Sequence, residues 1–300
     1  MVNLNAAIIE KLPLPKLAKK SILVDVLRLD KIHNVISGNK WFKLKYYLQE
    51  ALNNRYENIL TFGGAYSNHI IATACAAKML GLKSIGVIRG EESAALSHTL
   101  KEARSFDMQL EFVSREEYKN KAEPSFLNNL HEKFPGCYII PEGGEGALGV
   151  KGSAEILTIL QTNDYSHIFC AIGTGTMFAG IVNSSLQTQN VIGVCVLKGM
   201  KNIPNEISSF IAPDKKNNFE VNHDYHFGGY AKKNNELIKF MKVLYEQTDI
   251  PSDFVYTGKL FYAVNDLIEK KYFPDGSKLL IIHSGGLQGN LSLPEGTLIF

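Results

Sequence analysis

Apolar and polar positions along the chain alternate between two kinds of segment. Short apolar, β-branched runs suited to strands lie at Ile22 to Leu29, Asn58 to Phe62, Ser84 to Arg89, Gln109 to Val113, Cys137 to Ile140, His167 to Ala171, Val191 to Leu197 and Lys278 to Ile282. Between them lie stretches with helical spacing. These are Lys40 to about Asn53, Ser67 to Leu80, Ser97 to Ser105, two pieces between Glu116 and Lys133, Ser153 to Gln161, a helix from about Met177, Glu236 to Glu246 and Lys259 to Glu269. Strands alternating with helices predict α/β construction with parallel strands and right-handed crossovers. The glycine-rich run Glu142 to Gly149 interrupts the alternation and marks a candidate lobe boundary, and the polar Asp214 to Asn218 reads as a surface loop. There is no solenoid repeat and no low-complexity tail.

Composition narrows the possibilities. Three hundred residues with 45% hydrophobic and 21% charged positions suit a soluble protein with a sizeable core in two lobes. A formal charge of +2 without a basic run gives no argument for nucleic acid or an anionic membrane. The N-terminal stretch with Glu10, Lys11, Lys16, Lys19 and Lys20 lacks the apolar core of a signal peptide, and no stretch approaches the roughly 20 apolar residues of a membrane span. A cytoplasmic protein is expected. Cys75, Cys137, Cys170 and Cys195 are far apart in apolar surroundings, which predicts buried reduced thiols. The close pair His223 and His226 has no further ligand nearby, so no metal site is expected.

Chemistry concentrates around Ser37-Gly38-Asn39-Lys40-Trp41-Phe42-Lys43, where Lys40 and Lys43 share a helical face and Lys45 points away. A lysine becomes a nucleophile when desolvation or a second cation lowers its pKa, and Trp41, Phe42 and Lys43 are suited to do both. An exposed amphipathic helix accounts for the same pattern. Three glycine loops follow predicted strands, where open α/β sheets bind ligands. In Gly63 to His69, Ser67 is a good N-cap and the amides of Asn68 and His69 suit a carboxylate; simple capping explains the serine equally well. Gly173-Thr174-Gly175-Thr176 offers amides, hydroxyls and a helix start to a single phosphate, or is a tight turn that needs glycine. It lacks the features of a Walker loop and of a dinucleotide fingerprint. In His283-Ser284-Gly285-Gly286, a neutral hydroxyl suits a ring nitrogen, and a turn fits as well.

Taken in order, Gly38-Asn39-Lys40 with Lys43, Gly63-Gly64 with Ser67-Asn68-His69, Glu142-Gly143-Gly144, the Gly173 loop ending Ala179-Gly180, Tyr256-Thr257-Gly258-Lys259 and His283-Ser284-Gly285-Gly286 resemble one family. It is that of the pyridoxal-phosphate enzymes comprising 1-aminocyclopropane-1-carboxylate deaminases and D-cysteine desulfhydrases, and the likeness runs from about Leu12 to Gly286. The resemblance implies a two-lobed fold type II, tryptophan synthase β-like architecture. Residues 1–52 and 147–300 would form the large cofactor lobe and 53–146 the small lobe, with the active site in the cleft between them.

By the same likeness, Lys40 corresponds to the Schiff-base lysine and Lys43 to a lysine near the cofactor phosphate. Asn68 would meet the phenolic oxygen. Ser67, Asn68 and His69, with Tyr66 at the pocket's end, would take the substrate carboxylate. Gly173, Thr174, Gly175 and Thr176 form the phosphate cradle, Tyr230 and Tyr256 are active-site tyrosines, and Thr257 and Ser284 lie by the ring. A homodimer acting on a small amino acid is implied. Deaminases of the family carry Glu and Leu where this chain has Thr257 and Ser284, and the desulfhydrases carry small hydroxyl residues. The resemblance therefore favours elimination from D-cysteine or another β-substituted D-amino acid, giving pyruvate, ammonia and sulfide. The alternatives are deamination of the cyclopropane substrate to 2-oxobutanoate, a non-catalytic binder of pyridoxal phosphate or amino acids, and a nucleotide-binding α/β protein. Tyr66 replaces a usual Gln, Met177 and Phe178 replace Thr and a polar residue, and Glu145-Gly146 replaces Ser-Asn.

Overall fold

A computed structural model describes residues 1–13, 21–200, 207–216 and 218–300. Lys16, Lys19, Lys20 and the Asn217 position of the expected surface loop lie outside the described residues. The strands are β1 (Ile9–Lys11), β2 (Leu23–Arg28), β3 (Asn58–Gly64), β4 (Lys83–Arg89), β5 (Gln109–Val113), β6 (Cys137–Ile140), β7 (His167–Ile172), β8 (Asn190–Cys195), β9 (Phe219–Asn222) and β10 (Lys278–His283). The α-helices are α1 (Asn39–Asn53), α2 (Asn68–Met79), α3 (His98–Ser105), α4 (Arg115–Lys119), α5 (Pro124–Lys133), α6 (Ala147–Ala154), α7 (Thr176–Ser184), α8 (Asn235–Thr248) and α9 (Thr257–Glu269).

Two sheets result, in the orders β1-β2-β10-β7-β8-β9 and β5-β4-β3-β6. Every pairing is parallel except β1 on β2. Both faces of the larger sheet are covered, which is why β7, β8 and β10 are nearly continuous apolar runs. One face packs Ile168, Cys170, Leu280 and Ile282 against Met177, Phe178 and Ile181 of α7. The other packs Phe169, Ala171, Leu279 and Ile281 against Leu260, Phe261 and Val264 of α9. In the smaller sheet, neighbours on β3 divide in the same way. Ile59 faces α1 and α2, while Leu60 and Phe62 face Tyr118 and Leu130. The four cysteines are free and buried.

Two short strands escape the apolar pattern. β1 is three residues of partly exposed antiparallel edge, and β9 is four residues, none of them fully buried. The helix expected at Ser153 to Gln161 begins earlier, as α6, and tightens into a 3₁₀ turn over Glu155–Thr158. Its glycines read as breakers in sequence but serve contact in three dimensions. A Cβ on Gly152 would lie 1.8 Å from Phe42 O, and one on Gly149 would lie 1.9 Å from Gly144 O. Backbone therefore meets backbone where α6 crosses α1. No helix among the described residues is long and apolar enough to cross a membrane.

Candidate active site

The loops that follow β2, β3, β7 and β10 and the Glu142–Gly144 turn after β6 meet: Lys43 and Gly143 lie against Thr174, Gly38 against Ser284, and Asn68 against Gly286. Lys40 is the second residue of α1, and the loop before it is joined to the far end of the chain. Asn39 N donates to Ser284 O at 3.2 Å, and Gly38, at φ 64°, leaves no room for a Cβ, which would sit 1.9 Å from the same oxygen. Lys40 Nζ donates to Asn39 Oδ1 at 2.6 Å. Burial lowers its pKa to about 8, opposed by the Asp253 charge. Lys43, one turn on and 5% exposed, falls to about 7 through burial first and Lys40 second, opposed by Glu145. Lys45 leaves this face to pair with Glu155.

Lys43 Nζ reaches across 131 residues to Thr174 Oγ1 at 3.1 Å, and Thr174 Oγ1 is 3.0 Å from Thr176 Oγ1. Gly175 takes the left-handed conformation at the start of α7, where no side chain caps the helix. The first amides of α7 therefore have no intrahelical partner and, with two hydroxyls and an amine, form a cradle for an anion. Met177 and Phe178 turn into the core beside it. Gly143, whose Cβ would lie 3.7 Å from Lys43 Nζ, keeps the opposite wall low.

The β3 loop is built differently. Ser67 Oγ accepts from His69 N at 3.3 Å and from Ile70 N at 3.4 Å, so the His69 amide expected to face an anion is engaged by the serine, and Asn68 N remains. The His69 ring points inward, with Nε2 2.8 Å from Thr61 Oγ1. Thr61 gives its own proton to Ile140 O at 2.9 Å, so His69 is assigned as the neutral Nε2–H donor. Burial, then the charges of Lys43 and Lys40, hold it well below the ordinary histidine range. Asn68 donates to Gly286 O only at 3.5 Å, and its Oδ1 is buried without a partner. Tyr66 is 54% exposed, its ring 5.7 Å from that of His98, which donates from Nε2 to Gln288 O at 3.0 Å.

Tyr256 lies over Gly173, whose Cβ would approach its ring to 3.2 Å. Its ring centroid is 6.1 Å from that of Tyr230. Burial raises both phenols, that of Tyr256 well above the usual value, so both keep their protons in neutral water. Thr257 is fully buried, and its hydroxyl is already engaged. It accepts from Asp253 N at 2.7 Å and donates to Asp253 Oδ2 at 2.6 Å. Of the two hydroxyls expected beside a ring, only that of Ser284 makes no hydrogen bond among the described residues, that of Thr257 being held by Asp253.

Asp253 was not among the sequence candidates. Its carboxylate, wholly buried, also accepts from the amides of Val255 (2.9 Å), Tyr256 (2.7 Å) and Thr257 (2.9 Å), so all its lone-pair positions are occupied. The only signal in sequence is the spacing Asp253 to Thr257 ahead of a helix. Beneath Ser284, a second unanticipated network links His283 Nδ1 to Asp30 Oδ1 at 3.2 Å. It continues from Asp30 to Arg28 through two bonds of 2.8 and 2.7 Å, and from Arg28 to Glu10 at 2.7 Å. Burial pushes the Asp30 carboxyl up, but His283 and Arg28 together hold it below the usual range. No group of three metal-binding side chains occurs among the described residues.

A desolvated lysine one helical turn from an amine that reaches an uncapped helix start, in an α/β protein of two mostly parallel sheets, defines a class: enzymes that bind a phosphorylated carbonyl cofactor through an amine. The chain belongs to the pyridoxal-phosphate dependent enzyme family, which it matches over residues 9–285. A Pyrococcus abyssi protein provisionally named 1-aminocyclopropane-1-carboxylate deaminase is 29% identical, with 92% of this chain and 88% of that one covered. The bifunctional D-cysteine desulfhydrase/1-aminocyclopropane-1-carboxylate deaminase of Arabidopsis thaliana is 28% identical over 85% of this chain and 70% of its own. A crystal structure of an ACC deaminase homologue superposes with a TM-score of 0.81 at 27% identity, covering 95% and 90% of the two chains. The residues present fit pyridoxal phosphate: a low-pKa amine at Lys40, an anion cradle at Gly173–Thr176 with Lys43, and an Asn68 amide that the protein leaves largely unengaged.

Proposed function

We propose that the chain is a lyase acting on a small D-amino acid with a leaving group on Cβ, D-cysteine foremost, converting it with water to pyruvate, ammonia and hydrogen sulfide. Lys40, Lys43, Thr174, Thr176 and the first amides of α7 would hold the cofactor, with Asn68 at its phenolic edge and Ser284 at its ring. When bound, pyridoxal phosphate supplies a carbonyl for covalent capture of an amine and a conjugated ring that accepts electrons from the α-carbon. Lys40 Nζ, kept low in pKa by burial, takes the α-proton. Ser67 Oγ and the Asn68 amide orient the substrate carboxylate. The Tyr230 and Tyr256 phenols, both protonated, stand ready to donate to the departing sulfur.

The preference for elimination is carried by one observation. Where the family resemblance sets the ring edge this chain carries the small hydroxyls Thr257 and Ser284, and the Asp253 carboxylate beside Thr257 is saturated by its own four donors. A ring without a direct carboxylate partner is the weaker electron sink, adequate for expelling sulfide and less suited to opening an unactivated ring. Cyclopropane deamination is the second reading, favoured by the names of relatives near 30% identity. A panel of D- and L-amino acids with 1-aminocyclopropane-1-carboxylate, scored for keto acid, separates the two. Pyruvate from D-cysteine is expected, and 2-oxobutanoate from the cyclopropane alone would overturn the choice. Division into lobes of 1–52 with 147–300 and 53–146, homodimeric assembly and a cytoplasmic setting are part of the same proposal and rest on the family resemblance.

A further inference from the structure

Lys259 is a wholly buried charged side chain that the proposed reaction leaves without a task. It lies in the first turn of α9, is 0% exposed, and directs Nζ at two neutral acceptors, His226 O at 2.9 Å and Gly229 O at 2.7 Å. A methionine would fill that volume without the desolvation penalty of an ammonium, so space-filling does not explain the lysine. The segment it grips is strained. Phe227 and Ala231 sit at φ 50° and 53°, and Gly228 and Gly229 at 92° and 117°, within five residues. The segment's other support is the Phe227 ring, 4.9 Å from that of Tyr262, and three hydrogen bonds: Gly229 N to His226 O (2.9 Å), Lys232 N to Gly229 O (3.1 Å) and Gly228 N to His226 Nδ1 (2.9 Å). Tyr230 stands at the tip of this segment, 47% exposed, with its ring against Tyr256.

We propose that Lys259 is a positioning residue, whose buried Nζ holds the strained 226–231 loop by two carbonyls and so fixes the Tyr230 phenol beside Tyr256 at the cleft. The amine sits two residues after Thr257, which is itself locked to Asp253. One helical turn thus secures Tyr256 at its start and Tyr230 through its third residue. The inference deepens the proposed function by giving the Tyr230–Tyr256 pair its support, and it rests on that reading for its effect on turnover.

The test combines hydrogen exchange with a double-mutant cycle on the full chain. In Lys259→Met, amides of 227–232 are expected to exchange at least tenfold faster, with or without cofactor, while β7 and β10 are unchanged. In the loaded enzyme kcat is expected to fall about tenfold with cofactor affinity retained, and Lys259→Gln, which keeps an N–H donor, should recover part of both losses. Adding Lys259→Met to Tyr230→Phe should slow turnover no further. Unchanged loop exchange, or losses that multiply, would overturn the proposal. If the methionine variant does not fold, Lys259→Gln carries both measurements against the same criteria. Should Tyr230→Phe turn over D-cysteine like the parent, the assignment of Tyr230 fails, and the exchange data still decide the clamp.

Discussion

The two glycine loops after β3 and β7 solve the problem of a helix start in opposite ways. After β3, Ser67 caps α2 with its own hydroxyl, which engages the His69 and Ile70 amides and leaves that of Asn68 for a ligand. After β7, α7 begins on a left-handed glycine with no side-chain cap, and an amine of lowered pKa waits beside its two threonines. A permanently bound anion can complete the second arrangement, whereas a self-capped loop suits a ligand that must also leave. The difference separates holding from turnover, and each half can be perturbed alone.

The largest effect is expected at the amine between the loops. Lys40→Ala should lower turnover by about a thousandfold or more and abolish the visible band of the bound cofactor, yet leave inorganic phosphate binding at the α7 start intact. Phosphate binding lost along with the band would break the separation. Next, Thr174→Val combined with Thr176→Val should weaken cofactor retention by about a hundredfold or more, two charge-assisted bonds' worth, with KM for substrate in the fully loaded enzyme little changed. Dialysis followed by absorbance measures this.

Ser67→Ala should do the reverse. Loss of the cap is expected to remove about 1 kcal/mol of stability, read as a fall in Tm of roughly 2–4 °C, and to raise KM without releasing cofactor. Equal cofactor loss in the serine and threonine variants would show the loops to be one site. The remaining test is the pH dependence of the apoprotein. Unfolded lysines keep their protons up to about 10.5, whereas folded Lys43 and Lys40 release theirs at about 7 and about 8. In that interval the unfolded chain binds more protons, so stability rises with pH from about 7 towards 10. Saturating phosphate should remove the share of the rise that comes from Lys43 by restoring its proton, and Lys43→Met should remove the same share without phosphate, leaving that of Lys40 and of Lys259, which burial also lowers to about 8. Thermal unfolding across the range tests both.

The parallel architecture was legible because strands covered on both faces need continuous apolar runs, as at His167 to Ile172, and because Ser67 and Ser97 announce their helices. β1 and β9 were not, since an edge strand of three or four partly exposed residues leaves no periodicity to read. At the site, lysines, glycines and threonines could be named from local spacing. Asp253, the His283–Asp30–Arg28 network and the two carbonyls on Lys259 could not, because each acts on partners set by the fold. Their residue types are unremarkable on their own, and only burial without water forces them to find each other.

The contact of Gly38 with the Ser284 carbonyl fastens two loops that lie far apart along the chain. A nascent chain therefore carries Lys40 for a long stretch of translation before the walls that depress its proton affinity exist. Truncation upstream of β10 should yield polypeptide with an ordinary, harmless amine, and folding must wait on a loop closure of long sequence separation.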